Sequence, residues 1–228
     1  MEGDVAAEPD VQPDVQPDAQ PDNRPETDPI TDPMIDPADH ATHHPEIIAV
    51  TRNWLERAVI GLNLCPFAKS VHVKGQVRYV VSTAQTTDAL LDDFERELNY
   101  LVTTPAEETD TTLLITPDVL TDFADFTDFL DLAEVVLRTQ GLAGILQVAS
   151  FHPDYVFADA ETDDIANHTN RAPYPTLHLI REASIARATR AFPDAADIYE
   201  RNIETMEKLG LEGWRALGVD AGVDAPKP

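Results

Sequence analysis

The clearest periodicity lies between residues 87 and 140. Leu91, Phe94, Leu98 and Leu101 recur at three- and four-residue steps, as do Phe123, Phe126, Leu130, Ala133 and Leu137. Such spacing puts apolar side chains along one side of a helix. It predicts helices from Thr87 to about Val102 and from Phe123 to Gln140. Thr86 or Thr87 can cap the first, with Asp88 in its opening turn, and Thr104-Pro105 ends it. Gly141 suits the end of the second, and Phe129, Leu132 and Val136 widen its apolar face, so it should pack deeply. An earlier stripe, Ile47, Val50, Trp54, Ala58 and Leu62, predicts a helix over Glu46–Gly61. In the segment LNLCPF that follows, Pro66 prevents continuation.

Between these helices lie short runs of strand-forming residues: VRYVVS (Val77–Ser82), TTLLIT (Thr111–Thr116) and ILQVA (Ile145–Ala149). Strand–helix–strand–helix–strand implies two crossover units. The expected class is α/β, with a small, mainly parallel sheet of three strands flanked by helices and a helical C-terminal part. Leu177–Ala191 reads as helix, and TLHLI (Thr176–Ile180) as an alternative fourth strand. Phe192-Pro193-Asp194 marks a break and a cap. Ala195–Leu209 follows as a helix with Ile198, Asn202, Met206 and Leu209 on one side, and Leu211–Leu217 adds a short last turn.

Residues 1–44 show no such pattern. They repeat a Pro-Asp theme, VQPDVQPDAQPD and then TDPITDPMIDPAD. Closely spaced prolines oppose helix and ladder alike, and the charge repels itself. The expected organisation is a disordered acidic tail over 1–44, one globular α/β domain over 45–217, and a frayed tail over 218–228. His40, His43 and His44 end the first segment, where they read as linker with metal binding as the alternative.

Charge changes the list of partners. The net charge is −26; residues 1–44 hold 12 acids against Arg24 alone, and the remainder holds 30 acids against 15 bases. A field of this sign repels nucleic acid and anionic membrane. Adaptation to high salt and simple compositional drift both account for it. No apolar run reaches the roughly 18 residues of a membrane span. The N-terminus lacks the basic and apolar regions of a secretory signal. The single cysteine, Cys65, excludes an internal disulfide and a Cys-rich zinc module. The expected compartment is the cytoplasm.

Candidate chemistry gathers in Ser150–Glu182. In an open parallel sheet ligands bind outside the carboxyl ends of the strands. Ser150–Tyr155 is such an exit, and it opens a loop of about 25 residues, a length compact domains rarely carry without use. His152 is the expected general acid or base, with Asp154 to orient it. Asn170 and Arg171 can grip an anion, the guanidinium bidentately. His178 assists in catalysis or binding, and Tyr174 and Arg181 complete the substrate-binding set. His178 and Glu182 have metal-ligand spacing on a helix but lack the second histidine of HExxH. Cys65 is a nucleophile if it folds back beside His152; otherwise it is a buried, inert thiol. Asp159, Glu161, Asp163 and Asp164 could hold Mg²⁺ or Ca²⁺, but their spacing is not that of an EF-hand, and a solvated acidic loop is the alternative. GxGxxG, Walker A, GxSxG and CxxC motifs are absent.

The segments WLERAVIGLNLCPFA (Trp54–Ala68), SFHPDYVF (Ser150–Phe157) and DDIANHTNRAPYPTLHLIREASI (Asp163–Ile185) resemble the proteins grouped as domain of unknown function 1415. The resemblance spans about Glu46 to Leu209. It implies a soluble protein of a mainly bacterial group with plant relatives, and it attaches no activity, cofactor or residue role. Cys65, His152, Asp154, Asn170, Arg171, Tyr174 and His178 fall within the matching segments. The expected function is a cytoplasmic enzyme acting on a small anionic metabolite by histidine acid/base chemistry. A metal-dependent hydrolase and a non-catalytic ligand-binding or regulatory module are the alternatives. Cofactor, metal and oligomeric state are undetermined at this level.

Overall fold

A computed structural model describes residues 44–191 and 197–220. The Pro-Asp segment with His40 and His43, the Phe192-Pro193-Asp194 break and the last eight residues lie outside these.

Helix α1 (Pro45–Trp54) opens on a proline in its first turn, where no amide is needed. Its continuation, Leu55–Ile60, winds as a π-helix: the Gly61 amide donates to the Glu56 carbonyl at 3.0 Å and the Leu64 amide to Val59 at 2.9 Å. The predicted helix is therefore present but wider over its last turn, with Leu55, Ala58 and Val59 buried. Short helix α2 (Ala68–Val73) has no buried residue, so no stripe announced it.

Four strands make one sheet: β1 (Val77–Val81), β2 (Thr111–Ile115), β3 (Leu146–Phe151) and β4 (Thr176–Arg181), in the order β1-β2-β4-β3. The α/β class with flanking helices holds. The sheet itself is mixed rather than mainly parallel: β1 and β2 pair parallel, whereas β4 runs antiparallel to both β2 and β3. The strand alternative for TLHLI is the one realised, and β4 enters the gap between β2 and β3. Its alternation explains this, since Leu177 and Leu179 are fully buried on one face while Thr176, His178 and Ile180 point to the other. The helical reading of this stretch begins too early, because α5 spans Glu182–Ala191.

Two apolar layers sandwich the sheet. On one side Val80, Leu114, Leu146, Leu177 and Leu179 meet α3 (Thr87–Thr103) and α4 (Phe123–Thr139) through Phe94, Leu98, Phe126 and Phe129. Thr86 caps α3 by accepting from the Ala89 amide, and Asp122 caps α4 by accepting from Ala124 and Asp125. On the other side Tyr79, Val81, Leu113 and Ile115 meet α1, the π-turn and α6 (Ile198–Ala216) through Trp54, Ala58, Met206 and Trp214. Gly210, at φ 65°, breaks α6 and sets off its last turns. That backbone suits glycine, which has no Cβ to clash. Among the described residues no helix is long and apolar enough to cross a membrane.

Candidate functional site

The strand exit after β3 folds into a closed polar knot. His152 is fully buried against Phe123 and Phe126, with ring centroids 5.3 and 5.1 Å away. Its Nδ1 accepts from the Asp154 amide at 3.0 Å. Nε2 must then carry the proton, which it donates to the Leu120 carbonyl at 3.1 Å. Leu120 sits at φ 58°, a left-handed backbone that a leucine adopts only when its surroundings hold it there. Burial lowers the His152 pKa; the Leu120 carbonyl and the Asp154 charge oppose that shift in part. Asp154 is exposed, and the bond it makes to the histidine comes from its amide, not its carboxylate.

Asn170 and Arg171 are spent in the same knot. Asn170 Nδ2 donates to Ser150 O at 3.3 Å, while its own carbonyl accepts from the His152 amide. Arg171 donates from Nε to Tyr155 O at 3.2 Å and from Nη2 to Thr162 O at 3.0 Å. Its Nη1 lies 3.4 Å from His168 Nε2, so the guanidinium joins two main-chain carbonyls and an imidazole. Buried Asn167 receives the Phe157 amide on Oδ1 and donates from Nδ2 to Glu161 O. Asp159, Glu161, Asp163 and Asp164 are exposed, and Asp164 caps a 3₁₀ turn (Ile165–Thr169). Among the described residues no group of three His, Cys, Asp or Glu side chains converges as a metal site, so the donors suggested for a metal hydrolase do not meet.

The open space is elsewhere. A cavity of about 500 Å³ lies on the α1/α6 side of the sheet, between the π-turn with α2 and the first turns of α5. Its floor is Thr111, Leu113, Ala149, Phe151, His178 and Ile180, and Trp54, Leu55, Val59 and Ile185 stand around it. It therefore opens toward the beginnings of β1 and β2, not beyond the carboxyl ends of the strands. The crevice rule assumes parallel neighbours, and the antiparallel β4 removes that premise. A more open groove of about 380 Å³ runs along α4 past Leu120, Asp125 and Phe129.

Of the eight expected site residues, the cavity brings together Cys65 and His178. His152, Asp154, Asn170 and Arg171 belong to the knot. Tyr174 packs in the α1/α6 layer. Arg181 leaves β4 on the opposite face and donates to Thr104 O at 2.6 Å and Thr109 O at 3.0 Å, stapling the strand end to the loop before β2. Desolvation lowers its pKa.

The tautomer of His178 follows from its neighbour. Thr111 Oγ1 donates its only proton to Leu179 O at 2.6 Å. Its 2.7 Å contact with His178 Nε2 must then be one in which the imidazole donates. Nδ1 is left as an acceptor without a partner among the described residues. Desolvation pushes the pKa of His178 down to about 4, so the ring is neutral at neutral pH. Burial raises the Cys65 thiol, against the pull of the Phe67 and Ala68 amides. Farther along, Asp110 accepts from Ser184 Oγ at 2.5 Å, and Arg187 donates to Ser184 Oγ at 3.1 Å.

Residues 46–216 match the family model described as protein of unknown function, DUF1415. The chain belongs to that family. No curated protein and no solved structure matches it. The three segments that carry the family resemblance are joined in space. Trp54 Nε1 donates to Arg171 O at 2.9 Å, Trp54 meets Phe151 edge-on at 5.0 Å, and Asn170 reaches back to Ser150. The family segments thus build the knot and one wall of the cavity together. Sequence reasoning missed Asp110, Thr111, Ser184 and Arg187. A carboxylate set directly before a run of strand formers was the one available signal for Asp110; Ser184 and Arg187 look like ordinary surface residues of a helix.

Proposed function

We propose that this protein is a ligand-binding module whose cavity takes a small, mainly apolar molecule that offers a hydrogen-bond donor to His178. The observation that carries this reading is a cavity of about 500 Å³ in a sheet face that is otherwise packed, with mostly apolar walls and few polar groups. That size and character are typical of small-molecule sites. Its two reactive side chains favour binding over turnover. A thiol whose pKa is raised is a poor nucleophile near neutral pH. An imidazole with a pKa of about 4 is a weak base but a sound acceptor. His152, with both nitrogens bonded to main chain, acts in this reading as a brace.

Trp54 stands in the cavity wall, so its fluorescence reports occupancy once Trp214→Phe removes the background. Saturable quenching by a neutral probe, 3-phenylpropan-1-ol, is expected. Ala188→Phe, which adds volume at the cavity wall, should abolish it. Quenching that survives the filled cavity would place the probe elsewhere and refute the reading.

A further inference from the structure

The cavity contains a second acceptor, and this one is charged. Asp110 stands immediately before β2, with its side chain only 7 % exposed. One carboxylate oxygen, Oδ1, is occupied: Ser184 donates to it at 2.5 Å, and Arg187 Nη2 lies 3.7 Å away. Oδ2 has no partner among the described residues, although Asp110 lines the cavity. Arg187 and Arg181 both act on this charge from outside the apolar walls, which leaves Oδ2 as the acceptor that a donor entering the cavity can reach.

The remaining polar groups narrow what that something is. Thr111 Oγ1 is consumed by Leu179 and His178, and Gln76 Nε2 by Glu107 O at 2.8 Å. Ser184 is consumed by Asp110 and Arg187. Cys65, Ser70 and Gln76 add uncharged polar groups to the walls, and Asp110 is the one carboxylate in the lining among the described residues. Two cations stand at the rim, Arg187 with a side chain 64 % exposed and Lys74 exposed as well, while Arg181 acts on Asp110 from outside the lining, tied to Thr104 and Thr109. Charges in that position are screened by water, whereas a buried carboxylate is not.

We infer that the cavity ligand is a primary amine with an apolar body, its ammonium donating to Asp110 Oδ2. An ammonium has three donors and no acceptor, which suits a bare carboxylate oxygen and excludes a carboxylate head. The aryl or branched body fills the space over Leu113, Ile180 and Phe151. This inference rests on the ligand-binding reading above, and the two can fail separately.

Three probes of one shape make the test: 3-phenylpropylamine, 3-phenylpropan-1-ol and 3-phenylpropanoic acid, titrated into the full chain by calorimetry at pH 7. The amine should bind at least tenfold more tightly than the alcohol, and the acid more weakly than either. Asp110→Asn should erase the preference for the amine while leaving alcohol binding in place. Arg187→Met keeps the carboxylate and removes its competing cation, so the amine should gain affinity severalfold. This exposed position also keeps the test alive if Asp110→Asn does not fold. An amine preference that survives Asp110→Asn, or an acid that binds best and is lost in Arg187→Met, overturns the head-group inference and leaves the cavity reading standing. Wild-type protein that binds neither alcohol nor amine overturns both.

Discussion

His152 and His178 belong to neighbouring strands, one just past the end of β3 and the other opposite Ala149 on β4, yet they stand in opposite conditions. His152 has both ring nitrogens bonded to main chain and the rings of Phe123 and Phe126 pressed on it. His178 donates one nitrogen to Thr111 and leaves the other facing a cavity. The same contrast runs through their surroundings. Asn167, Asn170 and Arg171 use their polar capacity on loop carbonyls and amides, whereas Asp110 keeps an oxygen unused. Residue type did not distinguish these regions. Place did: bonded groups hold the loop, and an acceptor left open on a cavity wall can meet a ligand, whereas Tyr79 Oη, Thr112 Oγ1 and His168 Nδ1 are buried without a partner and line neither cavity.

The comparison breaks most sharply at His152. His152→Ala removes two buried hydrogen bonds and the ring packed on Phe123 and Phe126, and should cost about 3 kcal/mol of stability. Urea unfolding measures it, and Arg171→Met should cost about 2 kcal/mol by the same assay. A His152→Ala protein that is as stable as wild type but no longer binds would reverse the roles assigned to the two histidines.

The next effect is set by pH. The folded-state pKa of His178 lies below its ordinary value of 6.5, at about 4. Below pH 6.5 the unfolded chain takes up a proton that the folded chain refuses until about pH 4. Stability from this group is therefore complete above 6.5 and is lost as pH falls toward 4, by about 3 kcal/mol. His152 shifts in the same direction and adds to the slope. His178→Gln should flatten the curve of unfolding free energy against pH; an unchanged slope would mean that His178 is better solvated than its place in the sheet implies.

At neutral pH His178→Ala should cost only about 1 kcal/mol of stability, since Thr111 keeps its bond to Leu179. It should nevertheless weaken a donor-bearing probe roughly tenfold, in line with one lost hydrogen bond. Large loss of stability without loss of affinity would make His178 another brace. The smallest effect concerns Cys65. Iodoacetamide should label it slowly at pH 7, with a rate still climbing at pH 9, and Ala188→Phe should slow it further. Rapid labelling at pH 7 would restore the nucleophile reading.

Much of the scaffold was legible in the pattern of apolar residues. The stripes of α3 and α4, the cap at Thr86, the first three strands and the helix ending near Leu209 all depend on interactions within a few residues. Two misreadings share one cause. TLHLI has the composition of both a strand and a buried helical turn, and a window that short cannot separate them. Once β4 is placed between β2 and β3, the sheet is mixed, and the rule that located a site at the strand exits loses its basis. The polar density of Ser150–Glu182 did mark an organising segment, but much of it organises the chain rather than a ligand.

What the sequence determined alone is what short-range chemistry determines: the helical stripes, the strand composition, the capping residues, the family, and an acidic charge that disfavours polyanionic partners. What the tertiary structure decided is which polar groups are satisfied. Asp110 and Ser184 are 74 residues apart and His178 is 67 from Thr111, and nothing local signals that they meet. A hydrogen bond depends on distances of a few tenths of an ångström, and those are set only when β4 and α5 close over the sheet.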